Sequence, residues 1–498
     1  MTTELEVSAP EAIVPALDEI LHALRVVVPE HCILARDEQK RPYECDGLSL
    51  YRQLPLIVVL PENEMQVQGV LRAAKRLNVP VVTRGAGTGL SGGAMPHAQG
   101  ILLGMSKFNR IKHVDAQAAT AVVEPGVRNL AVSEAVAHLG LYYAPDPSSQ
   151  IACTIGGNIA ENSGGVHCLK YGLTIHNVLK VRMVSLDGEI IELGGEAPDA
   201  PGPDLLSTFV GSEGMLGVVT EVTLRLLPKP ALAKVIMASF DDVEAAGDAV
   251  AAVIGAGIIP AGLEMMDQRA TEMVEPFVNA GYDVNAKAIL LCESDGTEVE
   301  VAEEIARMTE VFEGVGATRI QVSQTERERL VFWAGRKNAF PAAGRVSPDY
   351  YCMDGTIPRR HLARVLQAIE GMETTYGLRC ANVFHAGDGN LHPLILFDSN
   401  DHDEVERAEQ FGAAILELCV EVGGTITGEH GVGLEKINQM CVQFDRDELD
   451  TFFGVKRAFD PDGLLNPDKV IPTLARCAEY GKMHVHGGQL PFADIPRF

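Results

Sequence analysis

The chain has 498 residues, beyond the size at which a single hydrophobic core keeps growing, so two or more domains are expected. Its 68 acidic against 41 basic side chains, a formal net charge of −27, argue against nucleic-acid binding through a basic face. A small anionic ligand would need a local basic pocket, because screening over roughly 8 Å hides the distant acids. Ten cysteines occur without any C-x-x-C pair, which argues against an iron–sulfur or structural-zinc framework in this chain. Met1-Thr2-Thr3-Glu4-Leu5-Glu6 carries acids where a signal peptide carries basic residues, and no apolar run approaches the ~18 residues of a spanning helix. The expectation is a cytoplasmic chain with reduced thiols and no membrane span of its own, any membrane association being peripheral and through a partner.

From the N-terminus, Ile13, Leu17, Ile20, Leu21, Leu24 and Val27 recur near a helical period, predicting an amphipathic lead-in helix over 11–28 within a segment 1–54. Leu56–Pro61 then reads as a buried strand and Glu64–Leu77 as a helix, so a βαβ unit opens a domain over 55–230. It delivers the chain to Thr83-Arg84-Gly85-Ala86-Gly87-Thr88-Gly89-Leu90-Ser91-Gly92-Gly93-Ala94, five glycines in twelve residues. That density frees the backbone to take φ > 0 and bring its N–H groups to a pyrophosphate. Gly87–Gly92 fits G-x-G-x-x-G, but no helical period follows before the apolar Ile101-Leu102-Leu103. Strand, glycine loop, strand is therefore the reading preferred over an NAD-type fingerprint, which needs a helix to open inside it.

Short strands follow at Ile101–Met105, Ala119–Val123, Val178–Ser185, Glu189–Leu193 and Val218–Leu227, with Asp187-Gly188 as a two-residue hairpin turn. Two more glycine loops interrupt them, Thr154–Asn158 and Gly211–Gly217. Pro228-Lys229-Pro230 reads as a domain boundary. Beyond it strand Lys234–Ser239, helix Val243–Ile254, strand Ala288–Glu293 and helix Val299–Phe312 predict an antiparallel sheet with helices on one face, over 231–460. A last segment, 461–498, begins after Asp460 and ends in a polar tail with His484 and His486.

Two clusters carry chemistry. In His385-Ala386-Gly387-Asp388-Gly389-Asn390-Leu391-His392, a type I′ turn at Asp388-Gly389 would set His385 directly opposite His392, close enough for both imidazoles to share a metal ion. Thr427-Gly428-Glu429-His430-Gly431 adds an acid and an imidazole in a glycine-lined loop. Two histidines plus Glu429 form a three-ligand set that leaves a position open for substrate, with His430 left as a base; loop histidines making ordinary hydrogen bonds are the alternative. Arg336, three residues after the only tryptophan, offers two parallel N–H groups to a carboxylate, which Lys337 does not. Arg345, Arg359 and Arg360 are further cations that no local pattern selects.

With these motifs, together with Pro145-Asp146-Pro147 and Leu465-Asn466-Pro467, the chain from about Pro55 to Val470 resembles the FAD-dependent oxidoreductases of the vanillyl-alcohol oxidase type. Within them it resembles the branch of glycolate oxidase and the D-lactate and D-2-hydroxyglutarate dehydrogenases. The resemblance implies an α+β fold: a two-part FAD-binding domain and an antiparallel-sheet, helix-covered substrate-capping domain, with the last segment returning to the flavin. FAD contacts would fall on Arg84, Gly85, Ala86, Gly87, Thr88, Gly89, Leu90, Ser91, Pro145, Asp146, Gly156, Gly157, Asn158, Gly214, Gly217, Val218, Val219 and Asn466. His385, His392 and Glu429 would hold a divalent metal, Zn, Mn or Fe. His430 would be the base and Arg336 the carboxylate anchor. The implied reaction is oxidation of glycolate or D-lactate to the 2-oxo acid by hydride transfer to noncovalent FAD, electrons passing to a flavin-binding and an iron–sulfur partner subunit or another acceptor. A D-lactate or D-2-hydroxyglutarate dehydrogenase acting alone is the alternative. Cys352 stands where the hydroxyglutarate enzymes are aligned with a lysine, which favours a small monoacid. A flavin reductase using NADPH and a noncatalytic nucleotide-binding subunit are the competing classes.

Overall fold

The strands that carry the glycine loop are buried on both faces, and this is why they read as continuous apolar runs. In the computed structural model, which describes residues 16–197, 202–473 and 476–477, strands Ile57–Val59, Ile101–Gly104 and Val81–Arg84 pair in parallel in that spatial order. Helix Glu64–Leu77 makes the crossover. The Asn63 side chain accepts from the Gln66 N–H at its start, and Asn78 closes its end at φ 51°. Helix Leu17–Val27 packs Ile20 and Leu24 into the same core, while Ile13 lies outside the described residues. No helix opens between Val81–Arg84 and Ile101–Gly104, so the strand, loop, strand reading holds.

A second, antiparallel sheet runs Ile111–Asp115, Thr120–Val123, Val218–Arg225, Val178–Val184, Ile190–Gly194. Its first strand is half exposed and carries Lys112 and His113, so it lacks the apolar pattern that marks the others. Two expectations change here. The Ser185 N–H donates to the Glu189 carbonyl at 2.9 Å, so the turn has three residues, and its first, Leu186, is fully buried in the neighbouring core. Thr154–Asn158 is not a loop but the start of helix Ile155–Glu161, where Gly156 lies against Pro125 with no room for a side chain.

The remainder builds a seven-stranded antiparallel sheet, in order Arg319–Val322, Leu232–Phe240, Ala288–Gly296, Gly262–Asp267, Arg379–Phe384, Pro393–Phe397, Asp349–Cys352. Helices cover both of its faces, not one. Alternate residues of Leu232–Phe240 divide between two cores: Ile236, Ala238 and Phe240 pack with helices Val243–Gly255, Glu298–Gly314 and Leu362–Tyr376, whereas Val235 and Met237 pack with Gln268–Val278 and Glu326–Lys337. Strand Ala288–Gly296 is accordingly buried along nearly its whole length. Among the described residues no helix is long and apolar enough to cross a membrane.

After helix Arg446–Phe459 the chain returns to the first sheet, where the Val81 N–H donates to Leu464 and the Asn466 N–H donates to Val81, both at 2.8 Å. Lys456 braces the return: its Nζ donates to the carbonyls of Met215 (2.8 Å) and Leu465 (2.7 Å) and to Asp460 Oδ2 (2.5 Å). Cys441 and Cys477 form a disulfide across 36 residues of sequence, which corrects the expectation of reduced thiols throughout; a search for local cysteine pairs does not reveal it. His484 and His486 lie outside the described residues. Lys456→Met would leave the Asp460 carboxylate buried and uncompensated, and is expected to lower the unfolding free energy by about 3 kcal/mol in urea titration.

Candidate functional site

One cavity of about 530 Å³ joins the glycine loop to the histidine cluster. Gly85, Ala86, Gly87, Thr88, Gly89 and Leu90 form one wall; Gly156, Gly157 and Asn158, at the start of their helix, form another with Gly214, Gly217 and Val219. Bare backbone is required here. A Cβ on Gly85 would stand 2.4 Å from Thr154 Oγ1, and Gly87, at φ 72°, lies on the Arg84 guanidinium. Thr154 Oγ1 is itself buried without a hydrogen-bond partner and lines the cavity, as expected of a wall built to receive a polar ligand.

The other proposed cofactor residues stand behind that wall. Arg84 Nη1 donates to the Cys45 carbonyl at 2.7 Å. The Pro145 carbonyl accepts from Asn129 Nδ2, which also donates to Asn158 Oδ1. Asp146 is paired with His167 Nδ1 at 2.7 Å, and Val218 is a fully buried sheet residue. Asn466 Nδ2 donates to the carbonyls of Gly93 and Glu213, fixing the glycine loop from below. Ser91 Oγ donates to the His430 carbonyl at 2.9 Å and so ties the glycine loop to the catalytic candidates.

At the far end of the cavity lie His392, Glu429 and His430. Residues 428–430 are held by Asp354, fully buried, whose carboxylate accepts the backbone N–H groups of Gly428 (3.0 Å), Glu429 (3.1 Å) and His430 (2.9 Å). Thr427 Oγ1, Asn390 Nδ2 and Lys436 Nζ also donate to it. Burial works against the charge, but the Lys436 ammonium above all outweighs it and holds Asp354 well below the usual carboxylate range.

The hairpin closes differently from the expected two-residue turn. His385 pairs with Asn390, leaving a four-residue loop, because the Gly387 N–H is drawn to the Leu263 carbonyl at 2.9 Å and Gly389 is wedged against Ile357. The strand registers match Asn382 to Pro393, so His385 and His392 are diagonal, not opposite. An offset of two keeps both on one face, with ring centroids 5.1 Å apart. His385 Nδ1 lies 2.6 Å from Glu264 Oε1, which orients the ring so that Nε2 faces Glu429 Oε1 at 3.2 Å. His392 Nε2 lies 3.3 Å from the same oxygen. Burial above all pushes His392 down to about 4, leaving a neutral ring whose two nitrogens are buried without hydrogen-bond partners. Glu429, despite its burial, is pulled down to about 2, above all by the hydrogen bond and charge of His385, and its other oxygen accepts from the Gly164 N–H at 2.9 Å.

The ligand atoms of His385, His392 and Glu429 lie within 4.8 Å of one another, as do those of Asp354, His392 and His430. The first set fits a cation better, because the Asp354 oxygens are already occupied by N–H and O–H donors and face an ammonium. His430 stacks on His392 at 4.9 Å and is held neutral by burial, its Nδ1 lacking a partner. Arg336 does not line the cavity. It is buried behind His385, with Nε on Glu264 Oε2 at 2.5 Å and Nη2 unpartnered; Lys337 is the cation of that helix on the wall. Asp354 and Glu264 are the site residues that the sequence reading missed, lone acids distant from their partners in sequence.

Two family models match the chain, the FAD binding domain over residues 55–194 and the FAD linked oxidases, C-terminal domain, over 229–470. In fold it resembles p-cresol methylhydroxylase (TM-score 0.77, 17% identity, 92% of this chain and 97% of that one) and 4-ethylphenol oxidase from Gulosibacter chungangensis (0.76, 17%, 94% and 99%). The molecule is thus an FAD-dependent oxidoreductase with the vanillyl-alcohol oxidase architecture. It is 63% identical to glycolate oxidase subunit GlcD of Escherichia coli K12 over 96% of both chains, and 40% identical to that of Bacillus subtilis over 87% of this chain and 93% of the other. A D-lactate dehydrogenase of Archaeoglobus fulgidus is 32% identical over 84% and 92%. The chain belongs to the FAD-linked oxidase family that contains the GlcD subunits.

Gly85→Val should weaken flavin binding by about tenfold or more, read from flavin retained through desalting, with the circular dichroism unchanged. Asp354→Asn turns a donor toward backbone N–H groups and strips Lys436 of its nearer counter-charge, leaving only Glu435 at 3.7 Å. It should cost about 3 kcal/mol of stability, seen in the unfolding midpoint.

Proposed function

We propose that this chain oxidises a small 2-hydroxy acid, with glycolate its first candidate, to the 2-oxo acid. The observation that carries the reading is the single cavity that begins at the glycine loop and ends at His392, Glu429 and His430. The 63% identity to a glycolate oxidase subunit supports the substrate. A divalent cation fits His385 Nε2, His392 and Glu429: the donors are imidazole and carboxylate, and the His392 nitrogens are buried without partners.

When bound, the flavin accepts hydride and the cation polarises the substrate hydroxyl. The residues of this chain do the rest. Glu264 fixes the His385 ring, and Asp354 and Ser91 fix the backbone of His430. His430, buried and neutral, takes the hydroxyl proton as the Cα–H leaves as hydride, so that alcohol becomes carbonyl. Arg336, expected from the sequence as the carboxylate anchor, lies off the cavity lining and holds Glu264; Lys337 is the cation of that helix placed to meet the substrate carboxylate from the wall. Cys352 is a buried strand residue whose Sγ faces the Met353 carbonyl, so its position supplies no second cation for a diacid. This favours a monoacid over D-2-hydroxyglutarate. D-lactate remains the second substrate, supported by the D-lactate dehydrogenase relatives. The relatives are named as a subunit, which supports assembly of this chain with partner subunits that take the electrons from the flavin.

His430→Ala is expected to lose 10²–10⁴-fold in turnover while the flavin stays bound. Near-normal turnover in that variant would remove the base assignment. Chelation should stop reduction of the flavin by glycolate without releasing the flavin, and re-addition of one of Zn, Mn or Fe should restore it; an unchanged rate after chelation returns the histidine pair to a structural role.

A further inference from the structure

The cluster of His385, His392 and Glu429 lies where two cavities adjoin, with Glu429 on the lining of both. His392 lines the cofactor cavity, and His385 lines a second cavity of about 860 Å³. The second cavity is bounded by Gly165 and Cys168, by the end of helix Val243–Gly255 and by the loop Thr356–Arg360. Ala251, Gly255 and Arg360 on its lining are exposed, so it opens to solvent.

Space decides between the two ways in. A cavity of about 530 Å³ is sized for one drug-sized molecule, so a flavin nucleotide lying along the glycine loop leaves little room for a second molecule to pass. Charge points the same way. With the distant acids screened over ~8 Å, local charge decides, and Arg359 and Arg360 both line the second cavity within reach of an approaching anion. Its carboxyls, Asp388 and Glu429, line the same wall as His385. Arg359 Nη1 donates to the Gly387 carbonyl at 2.7 Å, which fixes this cation on the loop that carries His385. Arg360 stays at the exposed rim, its Nε on His361 Nε2 at 3.0 Å.

We propose that the second cavity is the approach route of the anionic 2-hydroxy acid, and the exit of the 2-oxo acid, in the flavin-loaded enzyme, with Arg359 and Arg360 as its cationic rim. The proposal rests on the 2-hydroxy-acid reading above. It is tested by anaerobic stopped-flow reduction of the bound flavin by glycolate in the wild type, Ala251→Trp and Arg360→Glu. Each variant should lose about tenfold in the second-order rate constant at low glycolate and keep the limiting rate at saturation, and Arg360→Glu should flatten the fall of that constant with added salt. Wild-type rate constants and salt dependence in both variants would overturn the route. A wild-type flavin untouched by any 2-hydroxy acid would instead sink the functional reading. In that event the rim is still tested by quenching: iodide, an anion, should quench the added tryptophan of Ala251→Trp less once Arg360→Glu is combined with it, while neutral acrylamide quenches both equally. Equal iodide quenching would overturn the rim.

Discussion

The Asp354 carboxylate is the constraint on which the site depends. It is buried, charged and held there by three consecutive backbone N–H groups, a threonine hydroxyl, an asparagine amide and the Lys436 ammonium. A lone ion in that position would cost far more than folding can offset, so the loop around Glu429 and His430 has to wrap it. That wrapping aims Glu429 at His385 and His392 and stacks His430 on His392. The geometry of the cluster is thus a by-product of satisfying one charge.

The same loop is fastened to the flavin-binding part by a second set of bonds. Glu213 accepts the N–H groups of Val432 and Gly433, Ser91 reaches His430, and Gly164 reaches Glu429. The returning C-terminal segment locks the underside through Asn466 and Lys469, both on the Gly93 carbonyl. The cofactor loop and the histidine cluster are therefore joined by direct hydrogen bonds, which fixes their spacing as hydride transfer between a bound acid and a bound flavin requires. Glu264 extends the principle outward, orienting His385 with one oxygen and Arg336 with the other.

Much of this was legible in the chain itself. Helix Glu64–Leu77 followed from apolar spacing, and the parallel strands from unbroken apolar runs. His385 and His392 share a face although the turn was misjudged, because strand side chains alternate and the register error was two, an even number. What stayed hidden was set by contacts remote in sequence. Asp354 is 75 residues from Glu429, and Glu264 is 121 from His385, so no local pattern marks either acid as part of the site. Local turn chemistry likewise could not foresee Leu263 pulling on Gly387. The second helical layer on the large sheet is not legible locally, because Gln268–Val278 and Glu326–Lys337 meet Val235 and Met237 only through contacts remote in sequence.

The central claim is that one cavity brings a 2-hydroxy acid and FAD together over the Asp354-organised cluster. The direct measurement is anaerobic titration of the purified, flavin-loaded chain with glycolate while the visible absorption of the flavin is followed. Stoichiometric bleaching, with glyoxylate formed in equal amount, is the predicted result. An oxidised flavin that persists in excess glycolate, D-lactate and D-2-hydroxyglutarate would contradict it.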